Sequence, residues 1–316
     1  KTYGGMTVGL TSTSTDGITE LNLTQTSSFS KYSDVEDTGL GLLLRSSVNG
    51  GLSNSGGGIS FRRLIGDAGD QPGDGDKRFN QVKYETPVFQ GFSASASWGE
   101  DDFWDVGLRY AGEFSGFKIA AGIGYLQITD GPETKVECAA RGGGLPRSDE
   151  NCHQFGGSVS LLHEETGLFV NVGAGQKIDD ALDRTTRFTG TGADDKQTFW
   201  AMQAGIAKKF NAFGKTTIYG EYYDYNGGAI RRDVDGTDPI NPLGLNAVIW
   251  DTGLQTYGAG IAQGFDSAAM VVYLSYRHVE ADLAVRQIVG GNASGAIADA
   301  QLDDLDLLFT GAIIKF

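Results

Sequence analysis

Few residues in this chain are of the types that carry covalent chemistry. The three histidines, His153, His163 and His278, read as lying on separate strands, and the sequence holds neither a nucleophile elbow nor an HExxH pair. Gly258-Ala259-Gly260 with Gly264 imitates a dinucleotide loop, but the strand-to-helix context such a loop needs is missing, and glycines facing an interior explain it better. A lipid hydrolase would need a lipid-facing Ser and His pair at a membrane boundary. His163 sits on an apolar face, yet nothing specifies its partner, so the spacing predicts no enzyme. Cys138 and Cys152 flank a Gly-rich polar stretch that reads as one loop. A bridge between them would close a loop of about 15 residues, contribute about 3 kcal/mol in the chain-entropy model, and fit an oxidising compartment; two unpaired thiols are the alternative.

What remains is charge and the elements that place it. Lys+Arg 25 against Asp+Glu 40 gives a net charge of −15 and a pI of about 4.6, which argues against a nucleic-acid surface. Gly is 48 of 316 residues and Pro only 6, without the period that collagen requires. Mean hydropathy is −0.22, and no stretch approaches the roughly 18 apolar residues of a membrane-spanning helix. Strands are clear instead. Trp104, Val106, Leu108 and Tyr110 alternate with Asp105, Gly107 and Arg109, and Phe92, Ala94, Ala96 and Trp98 alternate with Ser93, Ser95 and Ser97. Twelve such strands are expected, near 1–10, 78–86, 92–98, 104–113, 118–128, 154–164, 168–178, 197–210, 215–226, 254–265, 269–281 and 304–316.

The connections alternate between tight turns, such as Glu165-Thr166-Gly167 and Asp266-Ser267-Ala268, and loops mostly of roughly 15 to 28 residues. That asymmetry is the one expected of an outer-membrane barrel, turns at one end and loops at the other. One face of the strands is polar, with Gln154, Gly156, Ser158 and Ser160, then Asn171, Gly173, Gly175 and Lys177. The other ends in aromatic residues suited to the two lipid interfaces: Trp98, Trp104, Tyr110, Phe117, Tyr125, Trp200, Tyr276 and Phe316. A soluble sandwich would need a second sheet over the apolar face and would not explain the asymmetry of the ends.

The run Arg78 to Pro87, then Gly91-Phe92-Ser93-Ala94-Ser95-Ala96-Ser97-Trp98-Gly99, then Leu108-Arg109-Tyr110-Ala111-Gly112-Glu113-Phe114, resembles the general porins of alphaproteobacteria. An apolar last strand ending on Phe316 is similar to the insertion signal of bacterial outer-membrane barrels. The resemblance spans the chain and is most specific over 78–126. It implies an all-β transmembrane antiparallel barrel of sixteen strands, a homotrimeric channel for passive passage of small hydrophilic solutes and ions, and a bacterial outer-membrane location among lipids and lipopolysaccharide. It also implies a loop folded inward after the fifth strand. Gly4 to Leu10 is similar to that strand, and 11–77 to the loop. About four N-terminal strands would then precede Lys1, and the single barrel domain of 1–316 would be incomplete, with 129–152 an extracellular loop. Gly39-Leu40-Gly41-Leu42-Leu43-Leu44-Arg45 and Ile59-Ser60-Phe61-Arg62-Arg63 are read as short β segments inside the loop, with two further spanning strands as the alternative.

Such a channel works by size and by field, with acidic and basic groups facing each other across its narrowest part. Asp16, Glu20, Asp34, Glu36 and Asp37 are the acidic candidates on the loop, with Arg45, Arg62 and Arg63 as counter-charges. Lys83, Glu85, Arg109 and Lys177 are the wall candidates. Each has a plain alternative as a hydrated surface charge. No cofactor is expected. Asp67, Asp70, Asp74 and Asp76, or Asp101 and Asp102, offer oxygen ligands for a structural Ca2+ against lipopolysaccharide, although no spacing matches an EF-hand. A substrate-specific channel, and more remotely a barrel-borne enzyme, are the rival functions.

Overall fold

The computed structural model describes residues 3–65, 71–75, 78–99, 102–129, 152–180, 182 and 187–314. They form one antiparallel sheet of fourteen strands. In chain order these are β1 (Gly5–Ser12), β2 (Arg78–Glu85), β3 (Phe92–Gly99), β4 (Phe103–Phe114), β5 (Phe117–Ile128), β6 (Cys152–His163) and β7 (Leu168–Asp179). There follow β8 (Lys196–Lys208), β9 (Thr216–Gly227), β10 (Ile230–Val234), β11 (Ala247–Phe265), β12 (Met270–Val289), β13 (Asn292–Asp299) and β14 (Leu305–Ile314). Successive strands pair except that β9 skips to β11 and β14 skips back to β12. β13 and β14 pair the upper and lower halves of β12 and act as one interrupted strand, while β10 only extends the top of β11. The spanning strands are therefore the twelve expected from alternation. Among the described residues no ladder joins β1 to β14, which form the two edges.

The sheet is the wall of a transmembrane barrel, because its outward face is apolar where a soluble barrel would be polar. Trp104 and Phe114, ten residues apart on β4, are both exposed outward. At about 3.3 Å per residue and a tilt near 45° they stand about 23 Å apart along the barrel axis, close to the height of a lipid-facing belt. Aromatic pairs mark both rims: Trp104 with Tyr125 at 5.3 Å and Trp200 with Tyr222 at 4.9 Å on the loop side, Phe92 with Tyr110 at 4.7 Å on the turn side. Phe316 lies outside the described residues.

The segment between β1 and β2 folds into the barrel. It contains short 3-10 turns at Gln25–Ser28, Val35–Asp37, Ser55–Gly57 and Phe61–Leu64, and single β-bridges Leu43 to Ser60 and Arg45 to Leu52. Its Tyr32, Val35, Leu40, Leu44, Ile59, Phe61, Leu64 and Ile65 pack on inward side chains of the far wall, including Phe199, Tyr223, Leu254, Val279, Leu283 and Val285. This corrects the expectation of a uniformly polar inner face. A buried loop brings its own apolar side chains, so the wall behind it is apolar too. Strands β11 and β12 also run several residues past their expected ends, above the membrane.

Candidate pore constriction

The inner wall fits the loop backbone closely. Gly107, Gly124, Gly156 and Gly175 are direct register partners across β4, β5, β6 and β7. A Cβ added at Gly107 or Gly156 would lie 2.6 Å from the Ser14 carbonyl oxygen or 2.4 Å from that of Gly73. At Gly175 it would be only 1.9 Å from the Pro72 carbonyl oxygen, and at Gly173, one pair lower, 2.4 Å from that of Thr19. Real Cβ contacts of that length do not occur, so the glycines are what let residues 14–19 and 72–73 lie flat on the wall.

Below the glycines runs a belt of polar side chains in one register row. Ser160, Asn171, Gln203 and Glu221 are successive partners across β6 to β9, and Arg277 of β12 joins them across Gly258 of β11. Ser160 Oγ donates to Asn171 Oδ1 at 2.6 Å, Asn171 Nδ2 to Gln203 Oε1 at 3.1 Å, and Gln203 Nε2 to Glu221 Oε2 at 3.0 Å. Arg277 Nε donates to Glu221 Oε1 at 2.6 Å, with both side chains buried. The loop docks on this belt. Leu23 N donates to Ser160 Oγ at 2.9 Å, Thr26 Oγ1 to Gln203 Oε1 at 2.7 Å, and Ser30 Oγ to Glu221 Oε2 at 2.9 Å. Arg277 Nη2 donates to the Lys31 carbonyl at 3.0 Å.

Two carboxylates staple the loop's upper legs. Asp105 Oδ2 on β4 accepts the Thr15 amide at 2.6 Å and its hydroxyl at 2.9 Å. Asp74 accepts Gly17 N at 2.8 Å, Thr19 N at 3.0 Å and Thr19 Oγ1 at 2.7 Å, which ties one leg of the loop to the other. Burial pushes the Asp74 carboxyl up to about 6 against the pull of those hydrogen bonds. Gln154, on the wall, accepts Gly73 N at 2.8 Å.

The free side of the loop carries the charge. Lys31 Nζ contacts Asp34 and lies 3.5 Å from Glu20 and 3.4 Å from Asp37; Arg62 reaches Asp37 at 3.4 Å. Burial, then the neighbouring Asp34, raise the Glu20 carboxyl to about 7, with Lys31 opposing. Burial alone would lower the Lys31 ammonium, but Asp34, Glu20 and Asp37 outweigh it and hold it above its ordinary value. Nearer β1, a polar cavity of about 440 Å³ is lined by Asp16, Lys83, Glu85 and Arg109 with the hydroxyls of Ser93 and Ser95. Lys83 and Glu85 are 3.9 Å apart there, and Arg109 donates to the carbonyls of Ser14 at 2.8 Å and Asp16 at 2.7 Å.

The candidates thus divide. Glu20, Asp34, Asp37 and Arg62 meet at one cluster, with Arg63 exposed on the same turn as Arg62. Asp16, Lys83, Glu85 and Arg109 meet at the cavity. Three candidates belong to neither. Glu36 is buried and accepts Gln71 N at 3.2 Å, so it serves packing rather than the water-facing surface. Arg45 pairs with Asp303 at 3.2 Å, beside the break between β13 and β14. Lys177 is buried on the wall, two residues along β7 from Gly175. Sequence reading missed Lys31, Gln203, Glu221 and Arg277. The signal for the last two was a lone charge of inward phase on each of two wall strands, which demands a partner. Cys152 is disulfide-bonded, while Cys138, Asp67, Asp70, Asp76 and Asp101 lie outside the described residues.

The histidines also need correction. His153 and His163 share β6, at its opposite ends, because that strand starts earlier than expected. His163 Nδ1 contacts Thr166 Oγ1 at 2.8 Å in the following turn. His278 Nδ1 lies 2.8 Å from Asp306 on the outer wall, with Glu280 at 3.5 Å and Asp304 at 3.8 Å.

No family model matches the chain, and no curated protein matches it. Among solved structures it is similar to outer-membrane proteins of Vibrio cholerae. OmpT with loop L8 deleted shares 13% identity, with 89% of this chain and 72% of that chain covered, at a TM-score of 0.45. In-vitro-folded OmpT, described as a trimer form, shares 13% over 99% and 76%, at 0.45; OmpT expressed in the outer membrane gives 13%, 99%, 76% and 0.41. By its own strand order and apolar outward face the chain is a membrane-spanning β-barrel protein. The expectation that it is no enzyme does not stand: the outer wall carries an imidazole–carboxylate pair, His278 with Asp306 at 2.8 Å, of the kind a general base uses.

Proposed function

We propose that the chain forms a water-filled channel for passive movement of small hydrophilic solutes and ions across the bacterial outer membrane. The reading extends the resemblance of residues 78–126 to general porins, and takes the assembly to be a homotrimer. The observation that carries it is the loop between β1 and β2, fastened to the inner wall while Lys31, Asp37 and Arg62 stay exposed on it beside the partly buried Glu20 and Asp34. Charges held at a narrowing are how a diffusion channel sorts solutes. Both sheet edges need strand partners in lipid, and the porin resemblance implies sixteen strands in the closed barrel.

Reconstitution in planar bilayers is the test. Stepwise conductance that scales with salt concentration is the expected result, and bilayers left silent at high protein load would refute it. Saturable block by one solute would move the reading to a substrate-specific channel. A second reading, a barrel-borne hydrolase, is favoured by the His278–Asp306 pair alone. Turnover of fluorogenic peptide or ester substrates that disappears in His278→Ala would establish it.

A further inference from the structure

We infer that Lys31 is the residue that sets the ion preference of this channel, and that the buried Glu221–Arg277 pair is what positions it. The inference rests on the channel reading and names the residue that governs it. Opposing charges in a selective narrowing need not come from opposite sides. Here the cation stands on the loop itself, among three carboxylates it partly neutralises.

The geometry is specific. The Lys31 side chain is 38% exposed, so its ammonium meets water while contacting Asp34 and lying 3.5 Å from Glu20 and 3.4 Å from Asp37. Its backbone is fixed from behind. Arg277 Nη2 donates to the Lys31 carbonyl at 3.0 Å and to Ser30 Oγ at 3.2 Å, and Ser30 Oγ in turn donates to Glu221 at 2.9 Å. Arg277 and Glu221, exposed only 1% and 3%, never meet the solute. They act through Lys31 and are positioning residues. Without the ammonium, Asp37 keeps Arg62 at 3.4 Å as a cationic contact.

The experiment measures reversal potentials in a KCl gradient across bilayers holding wild type, Lys31→Gln, Lys31→Arg and Lys31→Cys. Lys31→Gln is expected to raise the cation-to-anion permeability ratio roughly two- to fourfold, the Coulomb effect of one unit charge about 5 Å from a passing ion in salt water. Lys31→Arg is expected to keep the wild-type ratio. Lys31→Cys is expected to match Lys31→Gln until a thiol-specific ethylammonium reagent restores the positive charge and the original ratio. That reversal occurs within one folded channel, so it separates charge from misfolding. Open channels whose ratio is the same in Lys31→Gln and wild type, or unmoved by the reagent in Lys31→Cys, overturn the inference while leaving the channel reading intact. A wild type without conductance overturns both. Arg277→Met, which keeps the ammonium and frees its backbone, is expected to shift the ratio and broaden conductance levels, and Arg277→Lys to restore part of the shift. A ratio equal to wild type in Arg277→Met removes the positioning role.

Discussion

Replacing Arg277 by Met tests whether the buried belt holds the loop. The side chain is 1% exposed and its Nε donates to Glu221 Oε1 at 2.6 Å, while Nη2 serves Ser30 and Lys31. Met fills the volume but leaves the Glu221 carboxylate buried beside it, with Ser30 and Gln203 still donating to its other oxygen. Breaking a buried pair by removing one partner costs about 3–5 kcal/mol, and about 1 kcal/mol of that belongs to each lost loop hydrogen bond. Removing both charges in Arg277→Met/Glu221→Met takes the stranded carboxylate away. Buried pairs replaced by apolar groups are often neutral, so the double variant should lose only about 1–2 kcal/mol, from the freed loop. Arg277→Met alone is therefore expected to be about 2–3 kcal/mol less stable than the double variant, although the double variant removes both side chains, on β9 and β12. Urea unfolding of the vesicle-folded protein, followed by tryptophan fluorescence, gives the energies, and amide exchange at Leu23 and Thr15 reports loop seating. A double variant as unstable as Arg277→Met would refute the belt as a charge-paired clamp, as would a single variant within 1 kcal/mol of wild type.

Gly175→Ala must push Pro72 and Gly73 off the wall, since its Cβ would sit 1.9 Å from the Pro72 carbonyl. About 1–3 kcal/mol should be lost in thermal unfolding, whereas Gly220→Ala, whose Cβ meets nothing nearer than 3.7 Å, should be nearly neutral. Lowering the pH from 8 to 6 should reduce the cation-to-anion permeability ratio with a midpoint near 7, because Glu20 gains its proton there; Glu20→Gln should flatten that step. The stability sign follows from the same shift. A carboxyl raised from 4.5 to about 7 in the folded protein binds its proton more tightly folded than unfolded, so acidification from 7 towards 4.5 should raise the urea midpoint, and less so in Glu20→Gln.

Strand positions were legible wherever lipid touches the wall. Ala94, Ala96 and Trp98 face hydrocarbon and its rim while Ser93, Ser95 and Ser97 face inward, so chemistry alternates with the pleat. Above the rim the contrast inverts. On β12, Val272, Leu274 and Tyr276 are the outward residues within the belt, but beyond Arg277 the outward residues are Glu280 and Asp282 and the inward ones Leu283 and Val285. One strand thus carries two opposite patterns, and reading stopped near the switch. The charged cluster was half legible. Acidic residues on a long loop are visible in sequence, but Glu36 and Arg45 look no different from Asp37 and Arg62 until the loop is folded. The belt was hidden more deeply, because Ser160, Asn171, Gln203, Glu221 and Arg277 become neighbours only through the register of several hairpins.

The loop's attachments also fix when the narrow part of the barrel can exist. It follows β1, yet Leu23 binds Ser160 across 137 residues of chain, Ser30 binds Glu221 across 191, and Arg277 reaches Ser30 across 247. Such distant contacts form late, after the hairpins that carry them have paired. A sheet that has entered the membrane without β9 and β12 therefore has no surface on which to seat residues 22–31. On the proposed channel reading, any aqueous path at that stage would be wide and unsorted, and the hairpins that carry β9 and β12 bring the constriction into being.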